Sequence, residues 1–586
     1  MRKYDLVVSS DERHKEEKQK ILFLGNWCKD NSSYKRITHK IAEPYALLHS
    51  MRLKDQAKVR SYEKELIIHL TDSLNIIHSA NIKDSSWKII IGHWLRELIN
   101  TLLNRYNTIN HCIGKYDINS IKLVKYNNFS LIPNDTLEAS ANYNNPIMDE
   151  FLFDHILSNN DYNYLEKNYI IDSSDRKKIR SRLFCSTKKN KTGFISFINN
   201  VILSRIYRDK DIFVISSLLS FKDELLLNVS LGNFPKIWRV KQFFYNKTPD
   251  AIMRDNLNNC LKSNIRFKDY DKFFQVLVDL IPKIIPLCFM ESFKDLECIV
   301  NKLNWPKNPK CIYTCNNFTY DEVFKLWLSK KILSGSKYVV GQHGNNYGTN
   351  RYKSPFIEEE TATEFITWGY NNKLNSKKGL ILRDHKVKRK KNASKVLFVT
   401  THYPNRNETW DETYEYEIYK KNQFNFVTKL DDHVKRQLVV RLSKNSQIYF
   451  GKDDISEWKN FDNKIFIDNG FTKIKTLIRN SKVVIYDYDS TGMLECIGNN
   501  IPTLAYWSNG LDHLNDYALK DYKKLVEIGI IHLSPKSLAN MLNKSYYDID
   551  DWWFSEKTQE KINEFKKKYA NSQPNTIRKI KDIICK

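Results

Sequence analysis

Two short apolar runs, each ending in a polar turn that contains glycine, limit the folds open to this chain. The first is Val339-Val340-Gly341-Gln342-His343-Gly344-Asn345-Asn346-Tyr347-Gly348. The second is Val483-Val484-Ile485-Tyr486-Asp487-Tyr488-Asp489-Ser490-Thr491-Gly492-Met493-Leu494-Glu495. A short unbroken apolar run reads as a strand buried on both faces, the habit of a parallel sheet covered by helices. The second turn leads straight into a helical pattern. Open α/β sheets bind ligands outside the carboxyl ends of their strands, where such turns lie. Two of them on two α/β units imply a cleft between two domains.

Length and composition agree with this. At 586 residues the chain is too long for one core, so two or three domains are expected, and 41% hydrophobic residues suffice to fill them. Lys+Arg number 94 against 68 Asp+Glu, a net +26 spread along the chain rather than gathered in a tail. Such a surface favours anionic partners: nucleotide phosphates, anionic lipid or nucleic acid. Residues 1–20 are charged and lack an apolar core, so no signal peptide is expected. The best membrane candidate, 273–290, is interrupted by Asp279, Pro282, Lys283 and Pro286. It reads as a buried or interfacial helix pair, because a spanning helix needs about 20 mostly apolar residues. Ten cysteines occur without a C-x-x-C, and Cys311 and Cys315 have no second pair of ligands nearby. Reduced thiols in a cytoplasmic protein without structural zinc are the expectation.

Along the chain, 20–28 reads as a strand entering a loop, and 36–62 and 63–77 as helices. Residues 87–95 form a short apolar run into a helix over 95–106. The region from about 118 to 330 carries helical patterns (150–157, 191–203, 267–280, 321–333) and reads as a helical insertion in a first α/β domain, 1–370. Strands are expected at 311–314 and 338–340. A linker, 371–394, with a basic cluster at 386–391 leads to a second α/β unit, 395–545. Its strands 395–401, 437–442, 464–467, 483–486 and 503–506 alternate with helices, a βαβ order. Residues 546–586 read as C-terminal helices.

Several residue groups can carry chemistry. Ser490, Thr491 and Gly492 at a helix start can hold a phosphate through hydroxyls and backbone N–H groups, and Glu495, one turn in, can accept from ribose hydroxyls. The plainer alternative is an N-cap. In Gln342-His343-Gly344 the imidazole can act as general base on an acceptor hydroxyl or bind phosphate when protonated. A histidine that only ties down its loop is the alternative. His402-Tyr403-Pro404-Asn405-Arg406 can supply ligands after the first strand of the second unit, with Arg406 suited to phosphate; a Pro-ordered turn explains it equally. Arg441, ending a Val-Val-Arg strand, is a further phosphate or carboxylate candidate. Asp487-Tyr488-Asp489 has the D-x-D spacing of some metal-dependent sugar transferases. Asp209-Lys210-Asp211 and Asp548-Ile549-Asp550 share it, so no metal is assigned. H-E-x-x-H, a Walker loop, G-x-G-x-x-G and G-x-S-x-G are all absent, which counts against a zincin, a P-loop NTPase, a dinucleotide enzyme and an α/β-hydrolase.

The Tyr486–Glu495 segment, continued by Asn500-Ile501-Pro502-Thr503-Leu504-Ala505-Tyr506-Trp507, resembles the donor-site segment of bacterial surface-polysaccharide glycosyltransferases of GT-B architecture, two Rossmann-like domains facing a cleft. It is similar to the S-S/T-x-G-x-E … P signature of capsule transferases that use CMP-activated 3-deoxy-manno-octulosonic acid (Kdo), with the glycine one place nearer the hydroxyls. It is also similar to the C-terminal motif of teichoic-acid CDP-glycerol transferases. The capsule enzymes' K-x-H-P step is replaced here by Arg441-Leu442-Ser443-Lys444. Taken in order, Leu24-Gly25-Asn26-Trp27-Cys28, Gly92-His93-Trp94-Leu95, Gly341-Gln342-His343-Gly344, Thr367-Trp368-Gly369-Tyr370 and the Ser490 segment resemble a transferase family of O-antigen gene regions.

That resemblance implies a GT-B-like α/β fold. It implies a nucleotide-sugar donor held in the cleft, mainly on the second domain through His402, Asn405, Arg406, Arg441, Ser490, Thr491, Gly492 and Glu495, with Gln342 and Gly344 reaching it from the first. His343 would be the catalytic base, and Asn26, Trp27 and His93 would lie on the acceptor side, in the first domain. The expected activity is transfer of a sugar to a lipid-linked or oligosaccharide acceptor in O-antigen or capsule assembly, at the inner face of the cytoplasmic membrane. No metal or cofactor is expected beyond the donor itself. Two rivals remain: a CDP-alditol or polyol-phosphate transferase sharing the cleft, and a basic nucleic-acid-binding protein. Against the second, no RRM, KH or HTH pattern appears and the basic residues form no stripe, so no nucleic-acid partner is expected.

Overall fold

The computed structural model describes residues 4–14, 20–30, 39–126, 128–160, 162, 165–183, 210–233, 237–241, 243–382, 387–402, 404–444, 453–573 and 575–585. Among them lie three wholly parallel sheets. The first joins β1 (Tyr4–Val7), β2 (Ile21–Phe23), β3 (His39–Ile41), β4 (Ile118–Lys125) and β5 (Glu166–Ile171) in the order β3-β2-β1-β4-β5. The second joins β6 (Phe213–Ile215), β7 (Cys311–Thr314), β8 (Lys337–Gly341), β9 (Glu364–Thr367) and β10 (Ser376–Lys378), side by side in chain order. The third joins β11 (Lys395–Val399), β12 (Leu438–Arg441), β13 (Phe466–Asp468), β14 (Ser481–Tyr486), β15 (Thr503–Tyr506) and β16 (Ile531–His532) in the order β13-β12-β11-β14-β15-β16. In this third sheet the chain runs outward from β11 to β13, then returns to β11's other side at β14. Val396 pairs with Val483 and Val399 with Tyr486 there. The β11/β14 boundary is therefore a topological switch point, where open α/β sheets leave a crevice.

Alternation along the third sheet explains its two covers. Val396, Phe398, Val483 and Ile485 face one apolar cluster, and Leu397 and Val484 face the other. That second cluster runs on through the first sheet, so the three sheets are not apolar islands.

Helices α1 (His49–His78) and α2 (Asp84–Lys115) pack on each other as the crossover from β3 to β4. Of the two helices expected over 36–77, residues 36–38 lie outside the described residues, 39–41 form β3 and Pro44 follows; from residue 49 on the two are one helix, since no glycine or proline breaks 49–78. The apolar run at 87–95 is α2 itself: its Ile90, Ile91, Trp94 and Leu95 are fully buried. The stretch 118–330 holds helices, among them α3 (Phe221–Ser230) and α4 (Lys272–Ile284), and also strands β4 to β7. The pattern at 191–203 lies outside the described residues. The membrane candidate is buried α4 followed by a short turn of helix, Leu287–Phe289. Among the described residues no helix is long and apolar enough to cross a membrane.

The remaining helices used below are α5 (Glu322–Leu333), α6 (Ile357–Thr361), α7 (Glu412–Thr428), α8 (Thr491–Gly498), α9 (Asp516–Glu527), α10 (Glu556–Tyr569) and α11 (Thr576–Cys585). From α10, which packs on α8 and α9, the chain crosses back. Asn571 accepts from the Ile381 N–H at 2.8 Å, and α11 buries Ile580 and Ile584 against the second sheet beside α3. Gly369 permits this crossing: its φ is +140°, and a Cβ there would stand 2.3 Å from the Lys567 carbonyl oxygen. Strand β10 lies inside the stretch read as a linker, and Arg389 in its later part bonds Asp550 at 2.7 Å.

Candidate functional site

The turns after β8 and β14 meet. Thr491 Oγ1 accepts from the Asn345 backbone N–H and donates to Asn345 Oδ1, both at 3.1 Å, while Asn345 Nδ2 donates to the Asp489 carbonyl at 2.6 Å. A Cβ on Gly344 would lie 3.0 Å from Thr491 Oγ1, so glycine lets the two turns close. A second seam follows. The Asn515 N–H donates to the Thr349 carbonyl at 2.8 Å and the Arg351 N–H to the His513 carbonyl at 2.9 Å. Gln342 fastens the base of the first turn. It accepts from the Trp368 N–H at 2.8 Å and donates from Nε2 to the Gly344 carbonyl at 2.7 Å.

His343, half-buried, stands at the head of a buried relay. Its Nδ1 lies 2.9 Å from the Tyr347 hydroxyl, and that hydroxyl donates to Glu358 Oε1 on α6. With its proton given to Glu358, Tyr347 has only a lone pair for His343. Nδ1 therefore carries the imidazole proton and Nε2 is the basic nitrogen. Complete burial pushes Glu358 up to about 7, against the Tyr347 hydrogen bond that lowers it. Beyond it, His93 Nε2 lies 3.6 Å from Glu358 Oε2. Burial, then the charges of Lys325 and Arg96, hold His93 well below the ordinary histidine value, so it is neutral. The rings of His93 and His343 both pack on Phe318.

At the switch point of the third sheet opens a cavity of about 280 Å³. Asp487, Tyr488 and Asp489 line it from the β14 turn, Trp507, Ser508, Asn509 and Gly510 from the β15 turn, and Trp410, Glu415, Tyr419 and Asn422 from the β11 connection and α7. The turn after β8 and the chain beyond it contribute Asn346, Asn350, Tyr352 and Lys353, and α1 contributes His49 and Arg52. Asp487 accepts from the Tyr419 hydroxyl at 2.7 Å and from Gln423 Nε2 at 2.8 Å, and burial pushes it up to about 7. Among the described residues no group of three or more His, Cys, Asp and Glu is placed to hold a metal ion.

The other residues singled out in the sequence are dispersed. Ser490 is the N-cap of α8, accepting from the Gly492 N–H at 3.1 Å. A Cβ on Gly492 would meet Tyr486 Oη at 2.7 Å. Glu495 is buried one turn into that helix. Arg441 is a clamp inside its own sheet, bonding Asp468 and the Thr472 carbonyl, each at 2.7 Å. Arg406 ties the second α/β unit to the first. It pairs with Asp149, which Arg105 shares at 3.1 Å, and stacks on Trp27 at 3.7 Å. Trp27 donates to the Val8 carbonyl at 2.8 Å, and Asn26 begins the same helical turn. Half-buried His402 is held below its ordinary value by burial, Asn405 is exposed, and Tyr403 lies outside the described residues. None of Asn26, Trp27, His93, His343, His402 or Arg406 lines the cavity.

Sequence reasoning missed His49, Arg52, Tyr419, Asn422 and the Ser508–Gly510 turn. Only the last carried a signal, an Asn-Gly pair directly after an apolar strand.

No curated protein matches the chain. Among solved structures it is similar to a wall teichoic acid polymerase, TagF with CDPG, at 14% identity over 48% of this chain and 72% of that chain, TM-score 0.31. It is also similar to MurG of Acinetobacter baumannii, at 7% identity over 64% of this chain and 99% of that one, TM-score 0.33. Anabaena Alr3699/HepE, in complex with UDP and glucose, matches at 10% identity over 64% and 98% of the two chains, TM-score 0.35. The sequence model of one family matches residues 4–584, and by that match the chain belongs to the LIC12162 family transferases.

Proposed function

We propose that this transferase moves a sugar from a nucleotide donor to a hydroxyl of a lipid-linked or oligosaccharide acceptor in surface-polysaccharide assembly. One observation carries the reading. The turns after β8 and β14, on two parallel sheets, are joined at Asn345 and Thr491 beside a cavity at the β11/β14 switch point. Such crevices are where α/β folds hold nucleotides. The start of α8 supplies backbone N–H groups and a helix dipole for the donor phosphates, and the negative charge developing on the departing phosphate is stabilised there without a metal. His343 acts as general base through Nε2, with Tyr347 and Glu358 orienting the ring. A CMP-activated ulosonic acid is among the candidate donors, and a CDP-alditol is the rival that keeps the same cleft. The net charge of +26 suits peripheral work at an anionic inner leaflet.

The test is turnover of nucleotide sugars by the wild type and by His343→Ala, with binding of the bare nucleotide measured alongside. A loss of about 10²-fold or more in turnover with nucleotide binding retained is expected, the usual worth of a general base. Full turnover by the variant would remove His343 from the chemistry.

A further inference from the structure

The relay behind His343 ends in a contact that orienting the ring does not by itself explain. His93, on α2, and Glu358, on α6, approach each other with Nε2 and Oε2 3.6 Å apart, and both atoms are buried without a hydrogen-bond partner. The two helices pack directly, Gly92 against Ile357. At 3.6 Å the contact is too long for a hydrogen bond, and closing it by about half an ångström makes one of ordinary length. Left open, it strands two polar atoms away from water, which is costly.

Chemistry places the proton. A neutral imidazole has one N–H and one lone pair. A lone pair on Nε2 would oppose those of an ionised carboxylate, so with Glu358 ionised Nε2 bears the proton and donates. Oε1 is already served by the Tyr347 hydroxyl. Each carboxylate oxygen then has one donor, and donors to the charged form favour it. That help is needed, because burial drives Glu358 toward its neutral form. The other groups around the pair do not supply a donor. Arg96, also on α2, is engaged by Glu63 and Glu360, and Lys325 of α5 by Glu322. Glu359 of α6 opposes a second negative charge, and Tyr338 of β8 feels Glu358 but makes no hydrogen bond.

We propose that His93 is a positioning residue for the base: its Nε2–H donates to Glu358 Oε2, keeps that carboxylate charged and so, through Tyr347, supports the imidazolium that His343 becomes on taking the acceptor's proton. The role of His343 as base rests on the transferase reading; the coupling of His93 to His343 does not.

An NMR titration of the His343 imidazole in the free protein tests the coupling without any substrate. It is read in the wild type, in His93→Phe, which keeps a ring on Phe318, in His93→Leu should the first not fold, and in His93→Gln, whose amide can donate to Oε2. The apparent pKa of His343 should fall by about one unit in the Phe or Leu variant, the scale of a lost hydrogen bond to a charged group, and return toward the wild type in the Gln variant. In a Glu358→Gln background there is no charge to hold, so His93→Phe should shift it no further. Where turnover is measured, His93→Phe should lower kcat about tenfold with KM unchanged. The proposal is overturned by a His343 titration indifferent to loss of the His93 ring nitrogens, by an equal fall in the Phe, Leu and Gln variants, or by an undiminished effect in the Glu358→Gln background. Coupling without turnover of any nucleotide sugar would sink the transferase reading alone; turnover without coupling would sink the part given to His93 alone.

Discussion

Because Tyr347 has only a lone pair to offer His343, one hydroxyl sets which imidazole nitrogen is basic. Tyr347→Phe keeps the ring, which packs on Phe356 and Phe365 at centroid distances of 4.6 and 5.1 Å, and removes only that bridge. We predict a kcat lowered roughly ten- to a hundredfold with KM unchanged, the pattern of a positioning residue acting on the base. Steady-state kinetics and an NMR titration of His343 check it; an unchanged imidazole titration with unchanged kcat would contradict the assignment. The Gln342-His343-Gly344 step was readable as a polar turn after an apolar strand. Its partners were not legible in the apolar pattern: Glu358 comes from α6, and His93, on α2, entered only as an acceptor-side residue through the family resemblance, with nothing in the helix pattern to turn it toward a distant loop.

Strands buried on both faces are the elements that the sequence displays most openly, and β8, β11, β14 and β15 stand within a residue or two of where their apolar runs place them. Strands β1, β4 and β5 were not readable. β1 has a charged neighbourhood, β4 interleaves Asn119, Lys122 and Lys125 with its apolar residues, and β5 is almost wholly exposed. The α8 cap was legible as a serine before a helix; that Thr491 would leave its own helix to bind Asn345 was not, because that contact spans two sheets. Gly492 is tied to its neighbour on β14 rather than to helix propensity. Gly492→Ala would set a methyl 2.7 Å from Tyr486 Oη, and we predict a loss of about 1–3 kcal/mol in urea unfolding, the cost of overpacking, where an ordinary helix site would gain from alanine.

The molecule as a whole is held across its cleft at two rims, by the Asn345–Thr491 joint and by Arg406 and Arg105 sharing the buried Asp149. Near the second rim, Glu97 on α2 accepts from Asn407 and from the Ser140 hydroxyl, and burial pushes it up to about 7 from the ordinary 4.5. The folded state thus binds a proton that the unfolded state releases. Its contribution is fully present below about pH 4.5 and is lost as pH rises through about 7. Glu97→Gln keeps an oxygen for both donors and cannot ionise. The variant should therefore gain on the wild type by about 3 kcal/mol between pH 4.5 and 8, the worth of such a shift, and subtracting the two unfolding curves cancels the histidines that titrate in the same window.

The central claim is that the joined turns form a nucleotide site. Thermal unfolding with CMP, CDP, UDP, GDP and dTDP, for the wild type and Ser490→Ala, tests it most directly, because a ligand of the native state raises its apparent stability with concentration. The account predicts a rise with at least one of the five, weakened in Ser490→Ala. A melting temperature indifferent to all five at millimolar concentration would contradict it.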